Sequence, residues 1–195
     1  MRFLLASGSP RRAKLLTSAG YVFEVKSCNV GETPLSGEIP ALYVARLAAA
    51  KADGVAETED DCVVLGADTS VVLDGDILGK PLDDADAAKM LRRLSGRSHE
   101  VLTGVSIRYA SQRVGAVDRT VVHVAPLQPE HVRWYVASGE PRDKAGGYAI
   151  QGLAARFIDR IEGSYSNVVG LPLAVVRRLL SELGFDGTGE ISETQ

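Results

Sequence analysis

Val63-Val64-Leu65-Gly66-Ala67-Asp68-Thr69-Ser70-Val71-Val72-Leu73-Asp74-Gly75-Asp76-Ile77-Leu78 holds two β-rich runs joined by an Asp-Gly pair. Asp-Gly between apolar runs is a strong signal for a two-residue hairpin turn. The sheet therefore contains an antiparallel pair. On either side, β-rich runs alternate with helical ones. Phe3–Ala6 is a short apolar run, and Ser7-Gly8-Ser9-Pro10 is a turn leading into a helix, with Ser9 as N-cap, Pro10 in the first turn and Gly20 as the stop. Tyr21–Ser27 alternates like a strand, Cys28–Pro40 is a loop carrying Glu32, and Ala41–Ala52 is a helix rich in Ala and Leu. Downstream, Asp83–Leu94 and Gln128–Ala137 read as helices, and His99–Tyr109, Arg119–Ala125 and Arg156–Ile161 as strands. A final helix is expected over 168–183, with Pro172 disturbing its first turn, and a frayed tail over 187–195. The expected fold class is α/β: a mixed sheet flanked by helices.

The 195 residues suit one domain, or one domain of two lobes. Chains of this size bury roughly 70% of their unfolded surface, so a sizeable core is available. A net charge of −3 argues against a general nucleic-acid binder but leaves room for a local basic pocket. Cys28 and Cys62 are too few for a disulfide framework and read as free thiols of a reducing compartment. No run approaches the ~20 apolar residues of a membrane span, and the N-terminal apolar stretch is too short for a signal peptide. The cytoplasm is the expected location.

Asp68 stands among apolar residues in a strand, where Asp is depleted and an unpaired buried carboxylate costs several kcal/mol. Such an acid suits a general base or a Mg²⁺ ligand; the alternative is an Asx turn at a strand end. Ser7-Gly8-Ser9-Pro10-Arg11-Arg12 places small residues and hydroxyls at a helix N-terminus, whose unpaired N–H groups attract anions. Arg11 and Arg12 oppose the helix dipole there, at about 0.3–1 kcal/mol each. A bound phosphate would resolve that conflict through bidentate pairing; a solvated basic turn is the alternative. Lys51, near the end of its helix, and Lys80, between Gly79 and Pro81, carry little signal alone. In the Gly-rich loop Pro141–Gly152, Tyr148 could stack a base or anchor the loop to the core, and Gln151 offers a donor and an acceptor to a base edge. There is no P-loop, no dinucleotide fingerprint, no nucleophile elbow and no metal-ligand spacing among the three histidines.

Taken in order, Ser7–Arg12, Lys51, Gly66-Ala67-Asp68-Thr69, Gly79-Lys80-Pro81 and Lys144-Ala145-Gly146-Gly147-Tyr148-Ala149-Ile150-Gln151-Gly152 resemble the Maf (septum formation inhibitor) proteins. The resemblance runs from residue 3 to about 183. It implies an elongated α/β molecule like the inosine triphosphate pyrophosphatases, with two lobes and a central cleft, and a nucleoside triphosphate pyrophosphatase activity. It implies Asp68 as the proton acceptor. Ser7, Ser9, Arg11, Arg12, Lys51 and Lys80 would serve the triphosphate. Asp68 and Glu32 would hold Mg²⁺ or Mn²⁺. Arg11, Thr69, Gln151 and Tyr148 would bear on base preference. The run Ala145–Gly152 fits the dTTP/UTP branch. A 7-methyl-GTP or non-standard purine triphosphate pyrophosphatase is the first rival. The second is a nucleotide-binding regulator of septum formation without turnover. The implied partners are a nucleoside triphosphate and a second copy in a homodimer, with neither nucleic acid nor membrane.

Overall fold

Strand β1 (Arg2–Ala6) ends at the turn Ser7-Gly8-Ser9, and Pro10 starts α1 (Pro10–Ser18), which stops before Gly20 at φ 80°. The computed structural model describes residues 1–186; the tail expected over 187–195 lies outside the described residues. Next come β2 (Glu24–Val25), α2 (Pro40–Ala56), β3 (Cys62–Leu73) and β4 (Asp76–Leu78). Asp74 and Gly75 both take positive φ, 55° and 84°, as a type I′ hairpin turn requires, and Leu73 pairs antiparallel with Asp76. Helix α3 (Asp84–Leu94) is capped by the Asp83 carboxylate, which accepts from the Asp86 N–H at 2.7 Å. Then follow β5 (Ser98–Tyr109), β6 (Gln112–Val124), α4 (Pro129–Ala137), three short 3₁₀ turns between 140 and 157, β7 (Ile158–Glu162), α5 (Tyr165–Val169) and α6 (Leu173–Glu182).

The strands lie in the order β2-β1-β3-β5-β6-β7, with β4 paired to β3. β1 runs parallel to β2 and β3, whereas β6 and β7 are antiparallel, so the expected mixed sheet is present. Three boundaries differ most from expectation. The strand expected over 21–27 has only two ladder residues, because Tyr21 and Phe23 turn into the core and Tyr21 meets Phe3 edge-on at 5.9 Å. β6 starts at Gln112 rather than Arg119, since its first half alternates toward solvent. The last helix is two helices: Gly170 at φ 129° and the ring of Pro172 interrupt it.

Two compact units make up the chain. Among the described residues the first comprises Met1–Asp68, Thr103–Asp118 and 170–186. Strand β1 after Arg2 and the first half of β3 are buried on both faces. Phe3, Leu5, Val63, Leu65 and Ala67 pack with Leu16 of α1 and Val176, Leu179 and Leu180 of α6. The alternate residues Leu4, Ala6, Cys62 and Val64 pack with Ala52 and Val55 of α2. This is the period of two that an extended chain imposes. The second unit, Thr69–Leu102 with Arg119–Val169, has its own core, in which Leu91 and Leu94 of α3 and Val132 and Tyr135 of α4 pack with Val71, Val122, Tyr148 and Phe157.

Candidate active site

In the first unit, the period of two puts Gly66 and Asp68 on the same face of β3 as Cys62 and Val64, the face covered by α2. A Cβ on Gly66 would stand 2.2 Å from the Ala48 carbonyl oxygen and 2.7 Å from the Ala52 nitrogen. The helix backbone therefore lies directly on the strand. Gly104 of β5 meets the carbonyl of Val44 in the same way, at 2.2 Å. Lys51, next to Ala52, then reaches Asp68: Nζ donates to Asp68 Oδ1 at 2.7 Å and to Glu32 Oε1 at 2.8 Å. Tyr43 holds the Glu32 backbone by donating to its carbonyl at 2.7 Å.

Asp68 lies in the middle of β3 rather than at its end, so it does not make an Asx turn there. It is 8% exposed. Burial raises its pKa, and the positive charges of Lys51 and then Arg12 oppose that rise. A carboxylate so balanced is available as a proton acceptor.

At the start of α1 the first turn has no acidic residue, and Ser9 is the N-cap without a side-chain capping bond. Ser7 lies just outside the helix: its Oγ accepts from the Ser9 N–H at 3.2 Å and from Arg12 Nη1 at 3.0 Å. Arg12 Nε donates to the Gly170 carbonyl at 2.8 Å. Arg12 is 9% exposed. Burial pushes its pKa down, with Asp68 acting in the opposite sense. A buried cation at a helix N-terminus is an environment that favours an anion. Arg11 sits beside it on the same first turn, half-buried.

The second unit holds the remaining candidates. Thr69 follows Asp68 along β3 and is half-buried. Lys80 is exposed just after β4, where the Gly79 carbonyl accepts from the Gly146 N–H at 3.0 Å and ties this segment to the Gly-rich loop. Gln151 is exposed. Tyr148 corrects one expectation. It is 8% exposed, and its hydroxyl lies 2.7 Å from Nε2 of buried His99, with the rings edge-on. Burial pushes its pKa up. The ring anchors the loop to the core and leaves little of itself exposed. His99, Tyr135 and Glu140, which all support this loop, carried no sequence signal. Their spacing fits no motif, and their partners are distant in the chain or in an irregular segment.

The donor set bears on the metal. Among the described residues no group of three or more His, Cys, Asp or Glu side chains could hold an ion. Asp68 and Glu32 meet on one lysine, and two carboxylates completed by substrate phosphates and water form a set that Mg²⁺ accepts. The residues therefore fit the ion. No helix among the described residues is long and apolar enough to cross a membrane.

Residues 2–183 match the family described as Maf-like protein. The chain is 52% identical over 184 residues to the dTTP/UTP pyrophosphatase of Geotalea uraniireducens (strain Rf4), covering 93% of this chain and 94% of that one. It is 50% identical over 192 residues to the dTTP/UTP pyrophosphatase of Shewanella oneidensis, covering 94% and 99%. The HAM1 protein of Coxiella burnetii, a solved structure, superposes with a TM-score of 0.53 at 16% identity over 94% of this chain and 98% of that one, which shows a shared fold.

Proposed function

The chain belongs to the Maf-like protein family, and on that premise we propose that it hydrolyses dTTP and UTP to the nucleoside monophosphate and pyrophosphate. The observation that carries this reading is the buried carboxylate of Asp68, bonded to Lys51 at 2.7 Å and electrostatically coupled to buried Arg12. Relatives that share half the sequence over nearly the whole chain supply the substrate class.

Asp68 takes a proton from a water that attacks the α-phosphorus. The bond from that phosphorus to the bridging oxygen breaks, and pyrophosphate leaves as one piece. A positioned general base of this kind contributes about 10²–10⁴-fold. Ser7, Ser9 and the α1 N-terminus orient phosphate oxygens, and Arg11, Arg12, Lys51 and Lys80 neutralise the charge that builds on the leaving group. Asp68 and Glu32 would hold Mg²⁺ or Mn²⁺, which when bound supplies further charge neutralisation on the phosphates. Thr69, Arg11 and Gln151 bear on the choice of base, with Gln151 offering a donor and an acceptor to a pyrimidine edge.

The test is product analysis with dTTP, UTP, CTP, GTP, ITP and 7-methyl-GTP in Mg²⁺ or Mn²⁺. Pyrophosphate released from dTTP and UTP is the expected result. Release of orthophosphate, or preference for 7-methyl-GTP, would refute it.

A further inference from the structure

The turn that carries Gln151 is fixed from both sides by two side chains outside it. The Gly152 N–H donates to the Ala149 carbonyl at 3.0 Å, closing a tight turn around Ile150 and Gln151. Tyr148, Ala149 and Ile150 are buried, and Gln151 alone projects. On one side the Ala149 N–H donates to the Tyr135 hydroxyl at 3.1 Å. That hydroxyl in turn donates to Glu140 Oε1 at 2.7 Å. On the other side Glu140 accepts from the Leu153 N–H through Oε2 at 3.0 Å and from the Ala154 N–H through Oε1 at 3.4 Å. Gly152 makes this possible, because a Cβ there would stand 2.2 Å from Glu140 Oε2.

We infer that Tyr135 and Glu140 are positioning residues for pyrimidine selection: they hold the 149–154 backbone so that Gln151 presents its amide in one orientation. The inference rests on the proposed role of Gln151. Tyr135 is fully buried on α4, and burial together with its bond to Glu140 pushes the phenol pKa up, so it stays protonated and keeps donating. Glu140 uses both carboxylate oxygens as acceptors, which a glutamine with one acceptor oxygen does not replace. A side chain that reads a base edge discriminates only as well as its backbone is held. The clamp therefore acts on discrimination more than on the chemical step.

The experiment measures kcat and KM for dTTP, UTP, dCTP and GTP in the wild type, Tyr135→Phe, Glu140→Gln and Gln151→Ala, with thermal midpoints for each. Tyr135→Phe keeps the buried ring, and Glu140→Gln keeps the side-chain volume. In either variant the ratio of kcat/KM for dTTP over dCTP should fall about tenfold, mainly through KM, the scale expected for losing one hydrogen-bonded constraint. Tyr135→Phe added to Gln151→Ala should lower that ratio no further, because both act through one side chain. A ratio that stays at the wild-type value in a folded variant overturns the inference. So does a fall in kcat/KM of equal size for every nucleotide. Absence of dTTP and UTP turnover in the wild type would instead bring down the functional reading, and this inference with it.

Discussion

The two units solve opposite problems with the same device, a glycine that admits something where a side chain would stand. In the first, Gly66 lets the α2 backbone settle onto β3, so that Lys51, Asp68 and Glu32 meet within 2.8 Å. In the second, Gly152 lets the Glu140 carboxylate lie against a turn, so that one neutral side chain is held out. The first concentrates charge, where Lys51, Arg12 and Glu32 all act on the protonation of Asp68. The second spends buried, neutral or singly charged partners on fixing a backbone. Chemistry needs the former; choosing among bases of similar size needs the latter.

Asp68→Asn strikes the comparison where it is strongest. Turnover of dTTP should fall about 10³-fold, within the range for a lost general base, in a variant that still unfolds cooperatively. Retained turnover would mean that the first unit is not the chemical half.

Acid titration addresses the second unit. Buried His99 has its pKa pushed down from 6.5 to about 4, first by burial and then by His123. The unfolded chain takes up that proton near pH 6.5, whereas the folded one resists until about 4. Stability should therefore decline as pH drops through that window, by at most about 3 kcal/mol. Urea unfolding at several pH values measures it, and His99→Gln should flatten the slope.

Gly66→Ala tests the contact beneath the charge cluster. Overpacking there should cost about 2 kcal/mol and lower kcat, as α2 moves off the strand and lengthens the Lys51–Asp68 bond. Thermal unfolding and initial rates report the two effects, and base preference should stay at the wild-type value.

Tyr148→Phe carries the smallest effect. Loss of the bond to His99 should cost about 1 kcal/mol in urea unfolding. If the ring stacked on a base, phenylalanine would serve equally and stability would not change.

How much of this was legible in the sequence follows from the same contrast. The Asp-Gly turn, the mixed sheet and the candidates Asp68, Arg11 and Arg12 could be read directly, because a carboxylate among valines or two arginines at a helix start violate local preferences, whereas Lys51, Lys80 and Glu32 came only through the family resemblance. Such violations are visible residue by residue. The roles of His99, Tyr135 and Glu140 could not be read, since a histidine opening a strand or a tyrosine on an amphipathic helix violates nothing. Tyr148 shows the limit best: an aromatic in a Gly-rich loop has two chemically sound readings, and only its burial against His99 chooses between them. The split of the last helix at Gly170 was half visible, in Pro172.

The outermost strands have a consequence for solubility. β2, at one end of the strand order, is two residues long and is flanked by ion pairs of Arg2 with Glu24 and of Lys26 with Glu59. β7, at the other end, turns Asp159, Arg160 and Glu162 outward. A short or heavily charged edge is a poor template for an incoming strand. Sheet-to-sheet growth between molecules is thus disfavoured at these two strands by their length and charge alone.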